Sequence, residues 1–144
     1  MRIPILIALL AAPLPATAQG MGSPEAASGV IQTYYAAIDR GNFRGAYMLW
    51  DGDGRASGKS YASFRAGFSA TARTRVTTGT PRNGDAGMSQ RWIDVPVNVY
   101  ATLKNGKRQH FTGTYRLHRI VEGVSDNPRD SRWHIASAKL SVAR

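Results

Sequence analysis

The stretch Ile93-Asp94-Val95-Pro96-Val97-Asn98-Val99-Tyr100-Ala101-Thr102-Leu103 decides the fold. Ile93, Val95, Val97, Val99, Ala101 and Leu103 fall on alternate positions, the period of a strand with one buried face. Asn105-Gly106 then marks a turn, and a second long strand carries Phe111, Tyr115 and Leu117 at one parity, with Gly113 between them. A two-residue type I′ turn would pair Val99 with Thr112 and set the two apolar rows on opposite faces. A three-residue loop with Gly106 left-handed restores a shared face, pairing Val99 with Gly113, Val97 with Tyr115 and Val95 with Leu117. Because a slip of one residue inverts every side chain, the buried face selects the bulged turn.

Outward from this hairpin, Thr74 to Thr80 reads as a first strand and Pro81 to Ser89 as a loop. On the other side, the polar run Glu122 to Asp130 contains Pro128 and reads as a flexible connection. A last strand runs from about Arg132 to Val142, with Trp133, Ile135 and Ser137 on one face.

The N-terminal half follows a different period. Ser23 caps a helix, Pro24 suits its first position and Glu25 sits at the positive end of its dipole. Ala27, Val30, Ile31, Tyr34, Tyr35 and Ile38 then form one apolar stripe, and Gly41 stops the helix. Asn42 caps a shorter helix whose Phe43, Ala46, Tyr47 and Trp50 share a face. Asp51-Gly52-Asp53-Gly54 leads into a loop as far as Gly58, and Ser60 opens a third helix bearing Tyr61, Phe64 and Phe68. Helices first and antiparallel strands afterwards define an α+β domain, three helices on one face of a curved sheet of about four strands.

In that order, the segment Val30-Ile31-Gln32-Thr33-Tyr34-Tyr35-Ala36-Ala37-Ile38-Asp39, the stop Arg40-Gly41-Asn42-Phe43, the helix Ala46-Tyr47-Met48-Leu49-Trp50, the long paired strands and the closing Trp133-His134-Ile135-Ala136-Ser137 resemble the NTF2-like superfamily. This group of cystatin-like α+β cones includes ketosteroid isomerase and the SnoaL-like cyclases. The resemblance covers residues 24–142 and implies a cavity between sheet and helices. It says little about chemistry, since one fold hosts enzymes, binding proteins and dimerisation modules.

The first residues carry a targeting pattern: Arg2, an apolar run from Ile3 to Leu14, then Ala16-Thr17-Ala18 before Gln19. That is the layout of a cleavable secretory signal over residues 1–18, with cleavage after Ala18, leaving a short segment 19–23 and a single domain 24–144. A periplasmic or secreted protein with no membrane span is expected. The absence of Cys excludes disulfides, thiolate catalysis and Cys-ligated metal. Lys and Arg number 19 against 9 Asp and Glu, a formal charge of +10, which attracts polyanions. The basic residues are spread along the chain without a cluster, so no specific nucleic-acid site is expected; anionic envelope polymers are one candidate partner.

Motifs for other chemistry fail on inspection. Gly54-Arg55-Ala56-Ser57-Gly58-Lys59-Ser60 resembles a phosphate loop, but position 53 is Asp and the segment follows a helix. Asp51-Gly52-Asp53-Gly54 resembles the start of a calcium loop, but Arg55, Ala56 and Ala62 stand where a carboxylate, a glycine and the bidentate Glu belong. His110, His118 and His134 lack metal-ligand spacing, and no Gly-x-Ser-x-Gly is present. No cofactor is called for. The chosen register sets Asp94 opposite His118, the nearest approach to an acid/base pair. They share a polar face with Asn98, Thr112, Thr114 and Arg116, so a surface cross-strand pair is the simpler reading.

The implied cavity draws attention to Tyr34, Tyr35, Trp50, Phe64, Phe68, Tyr115 and Trp133. Most such rings serve as core, but rings that line a cavity would orient a small ligand. Ketosteroid isomerase chemistry needs a carboxylate base, and the inward strand positions Ile93, Val95, Val97, Val99, Tyr115 and Leu117 offer none. The leading expectation is therefore a non-enzymatic protein that binds a small apolar ligand or a protein partner, with the open sheet face available for a homodimer. An isomerase or cyclase using the cavity is the alternative.

Overall fold

A computed structural model describes residues 20–144, so the expected signal at residues 1–18 lies outside the described residues. Helix α1 spans Pro24–Asp39, with the Ser23 hydroxyl accepting from the Ala26 N–H and Pro24 in its first turn. It ends as a Schellman motif: Gly41 has φ +78°, its N–H donates to Ile38 O, and the Asn42 N–H donates to Ala37 O. Asn42 caps α2 (Phe43–Tyr47), and Ser60 caps α3 (Tyr61–Ala66). Trp50 lies beyond α2, in a short parallel bridge to Ile135.

The sheet has five antiparallel strands: β1 (Thr71–Thr78), β2 (Arg82–Gly87), β3 (Gln90–Leu103), β4 (Arg108–Ile120) and β5 (His134–Val142). Its order is β1-β3-β4-β5, with β2 also pairing with β3. Strands β1 and β2 therefore share one side of β3, β1 along residues 97–103 and β2 along residues 90–94. Pro96 sits at the junction. A strand residue points its N and O to the same side, and the Pro96 carbonyl accepts from Gly79 N–H at 2.8 Å, so the missing N–H faces the gap between β1 and β2.

The expected loop 81–89 thus contains β2. Its residues are polar and exposed, with a bulge between Arg82 and Asp85, so no alternation betrays it; the free edge of β3 supplies the pairing. Strand β1 also begins three residues earlier than expected, at Thr71.

The hairpin register is corrected too. Val97 faces Gly113, Val95 faces Tyr115 and Ile93 faces Leu117, two residues away from the expected pairing. Asp94 consequently faces Arg116, and Trp92 faces His118. The three-residue loop is Lys104-Asn105-Gly106, closed by Leu103 N–H to Lys107 O at 2.8 Å, with Gly106 at φ +88°. A two-residue shift leaves every side chain on its own face, so hydrophobic pattern cannot choose between the two registers. Turn chemistry does: the last loop position needs the left-handed region, which Gly106 adopts freely and Lys107 would not.

The inner face is the core. Ile93, Val95, Val97, Val99, Tyr115, Leu117 and Ile135 meet Ile31, Tyr34, Tyr35 and Ile38 of α1, all buried. Trp133, just before β5, and Ile135 on it are buried, but a bulge opposite Arg116 and Leu117 turns Ser137 to the exposed side, against expectation. Asp39 fastens α1 to β1: its Oδ1 accepts from Thr74 N–H at 2.8 Å and from Arg73 Nε at 3.1 Å. Those donors, the Thr74 N–H first, hold its carboxyl below the usual carboxylate range.

Candidate functional site

A cavity of about 310 Å³ opens beneath the helices, walled by Tyr34, Trp50, Phe64, Gly67 and Phe68, with Ser57 and Lys59 also lining it. Each wall is placed by a separate device. Tyr34 projects from the apolar stripe of α1. Trp50 is held by the strand-like bridge, in which Asp51 N–H donates to Ile135 O and Ile135 N–H donates to Leu49 O, both at 2.8 Å. Phe64 comes from α3, and Phe68 follows one turn later.

The loop bringing Ser57 and Lys59 is fixed from below. Gly54, at φ +96°, lies so close to the Tyr47 ring that a Cβ there would overlap it. The Tyr47 hydroxyl donates to Lys59 O at 2.8 Å, and Ser57 Oγ donates to Gly54 O at 2.7 Å. An Arg55–Ser57 turn of 3-10 helix between two left-handed glycines completes the loop. The phosphate-loop look of this stretch is thus a tight turn that delivers a lysine.

The polar groups of the cavity are mostly donors. Trp50 is 8% exposed, and its Nε1 is buried with no hydrogen-bond partner. The Tyr34 hydroxyl is raised well above the ordinary tyrosine range by burial, so it stays protonated. Lys59 is exposed at the mouth, and its ammonium makes no ion pair among the described residues. No Asp, Glu or His lines the cavity.

Of the seven rings singled out from sequence, Tyr34, Trp50, Phe64 and Phe68 line this cavity together. Tyr35 and Tyr115 lie behind Tyr34, ring centroids 5.0 and 6.1 Å from it, with their hydroxyls 2.5 Å apart. Burial pushes Tyr35 up to about 12 and Tyr115 further. Trp133 belongs elsewhere: its Nε1 donates to Ser23 O at 3.0 Å, and it borders a separate depression with Gly22, Arg91, Trp92 and Arg119. Sequence reasoning missed Ser57 and Lys59, which lie on a loop with no periodicity to read; their only signal is a lysine just before the cap of an inward-facing helix.

Asp94 and His118 do not pair. Asp94 accepts from Arg116 Nη1 at 2.9 Å and from Asn83 Nδ2 at 3.1 Å. His118 bonds through Nδ1 to Asp51 Oδ2 at 2.7 Å and through Nε2 to Gln90 Oε1. Neither lines the cavity, and among the described residues no group of three His, Cys, Asp or Glu is placed to hold a metal ion. No helix of the described residues is long and apolar enough to cross a membrane.

Several solved structures share this architecture at low identity. A nuclear transport factor 2 (NTF2-like) superfamily protein from Salmonella enterica is 14% identical over 83% of this chain and 89% of its own, with a TM-score of 0.54. A candidate scytalone dehydratase from Novosphingobium aromaticivorans is 10% identical over 83% of each chain, with a TM-score of 0.59. A candidate dehydratase of the NTF2-like family from Streptomyces avermitilis is 16% identical over 84% of this chain and 96% of its own, with a TM-score of 0.54. No protein-family model matches the chain, and no curated protein matches it either. At these identities the likeness is one of fold.

Proposed function

Given that this chain has the NTF2-like fold, we propose that it is an exported binding protein that takes a small ligand with an apolar ring into the cavity between Tyr34, Trp50, Phe64 and Phe68. The observation that carries this reading is the Trp50 indole N–H, buried in the wall of an aromatic cavity beside the Tyr34 hydroxyl and without a hydrogen bond of good geometry. An unsatisfied buried donor costs about 1–3 kcal/mol, and a ligand oxygen placed beside it would offset that cost. The volume lies at the small end of the range for ligand pockets, which suits a single ring with a short chain. Export is supported by Arg2, the apolar run and Ala16-Thr17-Ala18.

Two of the similar structures are named as dehydratases, which raises the enzymatic alternative. Acid/base chemistry of that kind is best served by a group that titrates near neutrality beside the substrate; the cavity lining carries no carboxylate or imidazole, and burial holds its Tyr34 hydroxyl protonated. Binding is therefore the reading the geometry favours.

Nuclear magnetic resonance of the indole N–H groups tests it directly. Substitution Trp50→Phe identifies the Trp50 signal among those of the three tryptophans. Added benzylacetone, a ring with a ketone two carbons away, should move the Trp50 signal downfield and leave Trp92 unchanged. An unmoved Trp50 signal at millimolar ligand would defeat the proposal.

A further inference from the structure

We infer that the ligand is an anion, a single-ring monocarboxylate whose carboxylate rests on the Lys59 ammonium at the cavity mouth; this builds on the binding reading above. The charge and hydrogen-bond inventory of the lining is one-sided. Trp50 Nε1 lies beside the Tyr34 hydroxyl without a hydrogen bond of good geometry, and Lys59 Nζ makes no ion pair among the described residues; both groups only donate. Ser57 Oγ already donates to Gly54 O and accepts from Lys59 N–H at 3.2 Å, so it offers little to a ligand. A site made of unanswered donors recognises a molecule rich in acceptors.

The surroundings have the same sign. Phe68 separates the cavity from a neighbouring groove bordered by Phe43, Tyr61, Arg65 and Lys104, which likewise has no acidic residue. Phe68 stacks on Phe43 at 5.8 Å, making an apolar partition between the two spaces. The carboxylates nearest in sequence are already engaged: Asp53 with Arg129 at 3.6 Å, and Asp51 with His118. Arg44 lies 3.8 Å over the Tyr61 ring. Lys59 is thus the one cation of the cavity lining, and its backbone is anchored by Tyr47 so that the side chain begins at the rim.

Hydrocinnamate and benzylacetone differ only in a carboxylate against an acetyl group, so together they isolate the charge. Isothermal calorimetry at low salt should show hydrocinnamate binding about twofold to fivefold more tightly, the gain of an ion pair at an exposed site. The preference should shrink at high salt, vanish in Lys59→Met and return in Lys59→Arg. Lys59 is exposed, so an unchanged unfolding midpoint will show that the variants are folded. Equal affinity of the two probes, or a preference that survives Lys59→Met, would overturn the inference while leaving the cavity reading intact. Failure of both probes to bind would overturn the two together.

Discussion

The hydroxyl pair Tyr35–Tyr115 offers a sharp test of the core described above. The two oxygens are 2.5 Å apart, and the residues are 6% and 3% exposed. Replacing either by Phe removes one partner and leaves the other hydroxyl buried without one, a loss of about 1.5 kcal/mol for each single variant. Replacing both removes the polar pair as a unit, and the double variant should lose only about 1 kcal/mol. It should therefore stand about 2 kcal/mol above the sum of the singles, a coupling readable by urea unfolding of the four proteins. In thermal unfolding each single variant should melt roughly 6 °C lower. The pair also gives a pH signature. Each folded pKa lies above the ordinary tyrosine value, so its stabilising effect is complete below about pH 10 and is lost as pH rises towards the folded value. Alkaline destabilisation should accordingly be less steep in the double variant. Strict additivity, within about 0.5 kcal/mol, would show that the hydroxyls do not depend on each other and would refute this account.

Two further outcomes are expected. At Gly113 an added Cβ would overlap the Lys139 carbonyl oxygen of β5, so Gly113→Ala should cost about 3 kcal/mol in urea unfolding, whereas Gly29→Ala, on an open face of α1, should be neutral or stabilising. Asp39 has a folded pKa below its unfolded one, so its contribution is present above the unfolded value and disappears as pH falls through the folded value. Asp39→Asn should reduce stability at neutral pH and flatten the acid limb of a stability–pH curve; an acid limb as steep as that of the parent would contradict the role assigned to the Thr74 N–H.

The legible part of the fold was the part in which one periodicity served one buried face. The stripe of α1, the caps Ser23, Asn42 and Ser60 and the alternation of Ile93 to Val99 are all local signals, and all reappear in the structure; Ala101 and Leu103, at the strand's end, are half-buried like their neighbours. What escaped depended on a neighbour. Strand β2 has no pattern of its own and exists because β3 runs past the end of β1. The hairpin register rested on whether Gly106 comes second or third in its loop, a choice to which hydrophobicity is blind. The cavity rings Tyr34, Trp50, Phe64 and Phe68 stood out as aromatics at helical spacing, yet nothing local separated them from Trp133, which packs against Ser23 at the chain's other end. Ser57 and Lys59 were invisible as lining because their placement follows from positive φ at Gly54 and Gly58 and from the Tyr47 anchor.

Pro96 bears on how this sheet behaves at high concentration. Strand β3 is 14 residues long, and a free edge of that length would be an inviting template for a strand from another molecule. Two partners on the same side divide it, and the imino acid falls in the seam, where an intruding backbone would look for a donor and find none. What remains outermost on this side is the 8-residue β1 and the 6-residue, bulged β2, two short margins in place of one long one. On this side of the sheet the proline therefore discourages the addition of a foreign strand, and β5 forms the sheet's other edge.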